Sequence, residues 1–153
     1  MNNNLQILED NLANLPTILA EYETELNKAE SLLEIKGRTL ERANVEQSSW
    51  QYFYDVRKRE LGSILKYLNM RVEKTRAKLF RSYVETHNRE LSDRTIDKYV
   101  NNEEAYLSMY QLYLEVSELY EKYDAVVEAF RSRGYALNNI TKIRVASLED
   151  VTI

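Results

Sequence analysis

The sequence predicts an all-α protein whose long helices pack as a hairpin or bundle. Three observations predict it. There are one Pro and three Gly in 153 residues, too few turn formers for a multi-stranded fold, which reverses direction every ten residues or so. Leu, Glu, Lys, Arg and Ala are plentiful, and all are strong helix formers. Apolar residues recur at seven-residue intervals in two separate stretches, the spacing that lines up one helix face.

The length suits one domain, 1–153. With 44% hydrophobic and 30% charged residues, the composition is that of a folded chain rather than a disordered or membrane-embedded one. No stretch approaches the length of a membrane-spanning helix. Cysteine is absent, which rules out disulfides and thiolate metal sites. The start Met1-Asn2-Asn3-Asn4 lacks the basic region of a signal peptide. A cytoplasmic protein is therefore expected.

The elements follow in order. Residues 4–14 make a short helix, with Leu5, Leu8, Leu12 and Leu15 at helical spacing. Pro16 ends it, since the residue before a proline avoids helix, and then suits the first turn of the next. That helix is expected over 16–46, on the heptad line Leu19, Leu26, Leu33 and Leu40, with Gly37 a soft spot. Ser48 or Ser49 can cap a new helix, although a continuous rod through Ser48 is also compatible with the pattern. This third helix continues to about Thr86 on Val56, Leu61, Leu65, Leu68, Val72 and Leu79. Residues 87–101 read as a connector holding a short helix capped by Ser92. From Asn101-Asn102 a long helix is expected to Arg133, closed by Gly134 as a left-handed cap. Its three adjacent apolar heptad lines, with Tyr113, Val116, Leu119, Tyr120, Tyr123 and Phe130 among them, imply burial over a wide arc. The number of tyrosines there favours a homo-oligomer. A last amphipathic segment reaches 147, and 148–153 form a loose tail.

Charge is segregated along the chain. The net charge is −4 overall, but −5 over 1–47, +5 over 48–91, −6 over 92–130 and +2 over 131–153. Within 57–81 nine basic residues face two acids, Glu60 and Glu73. Arg59, Lys66, Arg71, Lys74, Lys78 and Arg81 lie opposite the apolar stripe. Two readings stand for this segment. It pairs with the acidic helices inside a bundle, or it holds phosphates along a nucleic acid, where released counterions supply affinity. Trp50, Tyr52, Phe53, Tyr54, Tyr67 and Phe80 lie in or beside it, and single strands are also held by aromatic stacking.

Catalysis has no visible constellation, and no enzyme is expected. The three glycines are isolated, so no loop cradles phosphates. His87 is the only histidine and reads as a polar surface residue. No metal and no cofactor are expected.

Two stretches resemble the recombination mediator proteins of T4-type phages, the UvsY-like family. Lys74-Thr75-Arg76-Ala77-Lys78-Leu79 resembles that family's basic-Ala-basic-Leu DNA-binding motif, with the basic types exchanged. Phe130-Arg131-Ser132-Arg133-Gly134-Tyr135-Ala136-Leu137, followed by Ile140 and Ile143-Arg144, resembles its near-terminal Ser-Arg-Gly-aromatic-Ala segment. The resemblance covers roughly 45–147, and the acidic N-terminal helix is longer than the family leads one to expect. It implies single-stranded DNA binding, with Arg76 and Lys78 on phosphate and Lys74, Arg71 and Arg81 supporting them; Lys66 and Arg59 extend the strip. It implies a ring-like homo-oligomer, a hexamer or heptamer, built by residues 92–147 including Gly134 and Tyr135. It implies two protein partners, a RecA-like recombinase and the single-strand-binding protein it displaces, in the host cell cytoplasm. The other reading is a helical coiled-coil scaffold with no nucleic-acid role.

Overall fold

A computed structural model describes residues 3–86 and 90–150, with the side chains of 148–150 excepted. Among the described residues there is no strand. Those residues form five α-helices in chain order: α1 (Asn3–Asp10), α2 (Leu15–Leu33), α3 (Leu40–Thr86), α4 (Asp93–Val100) and α5 (Glu104–Asp150). No helix among the described residues is long and apolar enough to cross a membrane.

The chain divides into two compact units, one of residues 1–13 and 60–119, the other of 14–59 and 120–153. In the first, Leu8, Leu61, Ile64, Leu68, Val72, Ile96, Val100, Val116 and Leu119 are buried. In the second, Leu15, Ile18, Tyr22, Ala29, Ala43, Tyr54, Tyr123, Val127, Phe130 and Leu137 are buried.

Local signals explain most of the boundaries. After α1 a single 3-10 turn, Leu12–Asn14, leads into α2 with proline in its first turn. The Asn11 side chain accepts a hydrogen bond from the Ala13 amide at 3.0 Å and steadies this turn. Ser92 caps α4 as expected, its hydroxyl accepting from the Thr95 amide at 3.3 Å.

The first helix, expected over 4–14, ends at Asp10, and two later boundaries differ more widely from expectation. The helix expected over 16–46 stops at Leu33, and the chain turns through residues 34–39 before α3 begins. Gly37 lies in that turn with φ +81°, a conformation that costs any residue with a Cβ. Thr39 then caps α3, its hydroxyl accepting from the Arg42 amide at 3.3 Å and its carbonyl from the Ala43 amide at 3.0 Å. The heptad line survives the break because Leu33 and Leu40 fall on its two sides, both half-buried. Ser48 and Ser49 cap nothing. They lie exposed in mid-helix, where weak helix formers cost little.

The second difference concerns Gly134, which is no helix cap. It lies inside α5, which runs on to Asp150, so the first three residues of the expected loose tail 148–153 are helical; residues 151–153 lie outside the described residues. A Cβ built on Gly134 would come 3.0 Å from Nε2 of Gln47 on α3. Glycine is there for lack of bulk. Arg133, expected in the last turn of that helix, lies inside α5 and is 5% exposed. It donates from Nε to the Leu33 carbonyl at the end of α2 (3.1 Å), and from Nη1 to the Ala43 carbonyl (3.2 Å) and Gln47 Oε1 (2.6 Å). Burial, then the neighbouring Arg38, push its guanidinium below the ordinary value, against the pull of Glu46.

Candidate nucleic-acid interface

The strongly basic part of the sequence is divided between the two units, and the two parts behave differently. In the unit of 14–59 and 120–153, Arg57, Lys58 and Arg59 are taken up by carboxylates. Arg57 makes a two-point ion pair with Glu25 of α2, Nε to Oε2 at 2.7 Å and Nη2 to Oε1 at 2.8 Å. Lys58 pairs with Asp124 of α5, a bond that raises its pKa above the ordinary lysine value. Arg59 pairs with Asp55 one turn back at 2.9 Å, with its side chain 79% exposed.

In the other unit the arrangement changes. Leu61, Ile64, Leu68 and Val72 face the core, which turns the cations of α3 outward. Lys66, Arg71, Lys74, Lys78 and Arg81 are all exposed. Among the described residues none of the five has a carboxylate partner. Arg71, Lys74, Lys78 and Arg81 recur at spacings of three, four and three, so they share one stripe of α3 about 15 Å long at 1.5 Å rise per residue.

Arg76 is the exception. It is half-buried, and its Nη2 lies 3.2 Å from Asp97 Oδ1 of α4. Both side chains keep over a third of their surface, 38% and 45%, so the pair is weak and leaves the guanidinium's other N–H groups open. Next to Arg76 a shallow cleft opens on α3, lined by Glu73, Arg76, Ala77, Phe80 and Arg81. Nearby, Tyr83 stacks on Tyr99 with ring centroids 5.6 Å apart and donates its hydroxyl proton to Glu103.

The aromatic residues expected beside the strip divide in the same way. Tyr54 is core: its hydroxyl donates to the Glu25 carbonyl at 2.8 Å, and its ring stacks on Phe130 at 5.2 Å. Phe80 remains beside the stripe.

Of the residues expected to build an oligomer, Val116, Leu119, Tyr123 and Phe130 are buried within the chain itself, at 0%, 4%, 0% and 0% exposure. Tyr123 donates to the Tyr22 carbonyl at 2.8 Å and lies 3.2 Å from Glu25 Oε2. Burial first, and Glu25 second, raise its pKa well above the ordinary tyrosine value. Tyr113, Tyr120 and Gly134 are half-buried and Tyr135 is 73% exposed. On the outer side of α5, Leu107, Tyr110 and Leu114 are exposed, and Tyr106, Tyr110 and Tyr113 form a row of stacked rings at 5.8 and 5.9 Å.

Among the described residues no three histidine, cysteine, aspartate or glutamate side chains come together as a metal-holding group; His87 lies outside those residues. Compared with known protein families, curated proteins and solved structures, the chain matches none.

Proposed function

We propose that this protein binds single-stranded DNA along the exposed stripe of α3, with Arg71, Lys74, Lys78 and Arg81 on consecutive phosphates and Arg76 beside them. One observation carries the reading. The cations at 57–59 have carboxylate partners, whereas those at 66–81, Arg76 excepted, have none among the described residues. A strip whose role was to pair with the acidic helices would show carboxylate partners along its length. Cations left in solvent on one helix face neutralise backbone phosphates without reading sequence. Lys66 lengthens the stripe; Arg59, already paired with Asp55, contributes less.

The finer role rests on the resemblance. It is that of a recombination mediator, which helps a RecA-like recombinase displace single-strand-binding protein and nucleate its filament. A hexameric or heptameric ring would repeat the stripe around one assembly. With Val116, Leu119, Tyr123 and Phe130 in the protomer core, Tyr113, Tyr120 and Tyr135 are the residues of the expected set with surface to offer a second copy.

The alternative, a helical scaffold with no nucleic-acid role, draws on the exposed Leu107, Tyr110 and Leu114. Fluorescence anisotropy with a labelled oligothymidylate across a salt series decides between them. The stripe predicts salt-sensitive binding, with the slope of log K against log salt falling by about one for each stripe cation changed to alanine. All four side chains are exposed, so the quadruple variant should keep its helical circular dichroism. Unchanged binding by that folded variant would refute the assignment, and no binding at low salt would favour the scaffold.

A further inference from the structure

The cleft on α3 holds a residue that a simple phosphate-binding strip does not explain. Glu73 is the only acid between Leu61 and Val84. It is exposed, and among the described residues it pairs with none of the cations around it. A carboxylate beside a stripe that meets a polyanion opposes binding unless it meets a hydrogen-bond donor on the ligand.

The rest of the lining says where such a donor would come from. Glu73, Arg76, Ala77, Phe80 and Arg81 follow spacings of three, one, three and one, which puts them on one face of the helix. Ala77 has only a methyl group, and the longer side chains around it make the walls. Phe80 is half-buried, and no other aromatic ring among the described residues stacks on it. Arg81 is exposed and has no carboxylate partner among the described residues, and Arg76 lies 3.2 Å from Asp97 in a weak pair that leaves its other N–H groups open. The cleft thus combines an aromatic wall, a carboxylate acceptor and two guanidiniums within two turns of helix.

Resting on the reading that α3 binds single-stranded DNA, we propose that this cleft is a subsite for a guanine base of the bound strand. Phe80 supplies the ring contact, Glu73 accepts hydrogen bonds from the base, and Arg76 and Arg81 hold the flanking phosphates. Guanine is the base that fits. Its N1–H and N2–H point the same way and match the two oxygens of a carboxylate. Adenine and cytosine each set an acceptor nitrogen beside their amino group, and thymine flanks its single N–H with two carbonyls. Each of these would face the Glu73 carboxylate with a lone pair.

The test compares two labelled strands of equal length, an oligothymidylate and one with every third thymine replaced by guanine, a spacing that avoids runs of guanine. The native chain should bind the guanine-bearing strand about tenfold more tightly, the scale of one good two-point base contact. Glu73→Gln should reduce that preference to about twofold or less, because the amide keeps one acceptor oxygen and sets an NH2 donor against guanine's other N–H, and should bind oligothymidylate at least as well as before. Phe80→Leu, which keeps an apolar wall without a ring, should weaken binding to both strands. Equal binding of the two strands by the native chain, or a preference that Glu73→Gln leaves intact, overturns the guanine subsite while the stripe stands. Failure to bind either strand at low salt overturns both.

Discussion

Arg57 closes on Glu25 through both oxygens of the carboxylate, and its guanidinium carbon also sits 4.1 Å from the ring centre of Tyr22. The two charged side chains are only 17% and 26% exposed. One guanidinium therefore serves an ion pair and an aromatic face at once, both on α2.

Arg57→Ala should accordingly lower stability by about 2 kcal/mol, the loss expected for hydrogen bonds to a charged, largely buried partner. Urea denaturation measures it. Lys74→Ala should do the reverse, leaving stability within about 0.5 kcal/mol while weakening binding to single strands. If both variants lose binding equally and neither loses stability, the division of the basic segment into paired and open cations is wrong.

Tyr123 links stability to alkaline pH. Its folded-state pKa is raised, by burial first and by Glu25 next, so the neutral hydroxyl is the form the fold prefers. Its contribution is complete below the unfolded-state value of about 10 and is lost as pH climbs from there toward the folded value. Tyr54, also raised by burial, acts in the same direction. Melting temperature should hold steady up to about pH 10 and fall above it. Tyr123→Phe should cost about 1 kcal/mol at neutral pH through the lost hydrogen bond to Tyr22, and its melting temperature should fall less steeply above pH 10.

The two glycines with structural roles respond to alanine for opposite reasons. At Gly37 a Cβ meets nothing within 4 Å, but φ is +81°. Gly37→Ala should cost about 1 kcal/mol from backbone strain alone, and no change in a neighbouring side chain should relieve it.

At Gly134 the backbone is helical, and alanine would gain about 1 kcal/mol of helix propensity. Against this stands Gln47, whose side chain cannot step aside freely. Its Nε2 donates to the Phe130 carbonyl at 2.5 Å and to Gln51 at 3.3 Å, and its Oε1 accepts from Arg133. Gly134→Ala should destabilise the native chain, yet stabilise a Gln47→Ala background. A double-mutant cycle by denaturation reads the reversal; the same sign in both backgrounds would show that the crowding is absent.

Sequence pattern carried the elements whose causes are local. The Ser92 cap and the proline-started α2 depend on residues within a turn or two of the boundary. The turn at 34–39 also had its local signals in Gly37 and Thr39, but the leucine line Leu19, Leu26, Leu33 and Leu40 continues across it and masks them. The course of α5 through Gly134 was not legible. Arginines beside a glycine look like a solvated helix end, and only the packed structure shows Arg133 reaching the carbonyls of Leu33 and Ala43. The candidate site was half legible. Basic residues facing away from an apolar stripe follow from periodicity. Which of them are already neutralised depends on Glu25, Asp97 and Asp124, residues remote in sequence that folding brings alongside.

The close approach at Gly134 also sets a rule for sequence drift. Position 134 is bound to glycine only while Gln47 occupies its present place, and Gln47 is kept there by Arg133. Among relatives of this chain, any that had traded Gln47 for a shorter residue would be free to carry alanine or serine at 134. Those retaining the glutamine would not, so the two positions should change as a pair.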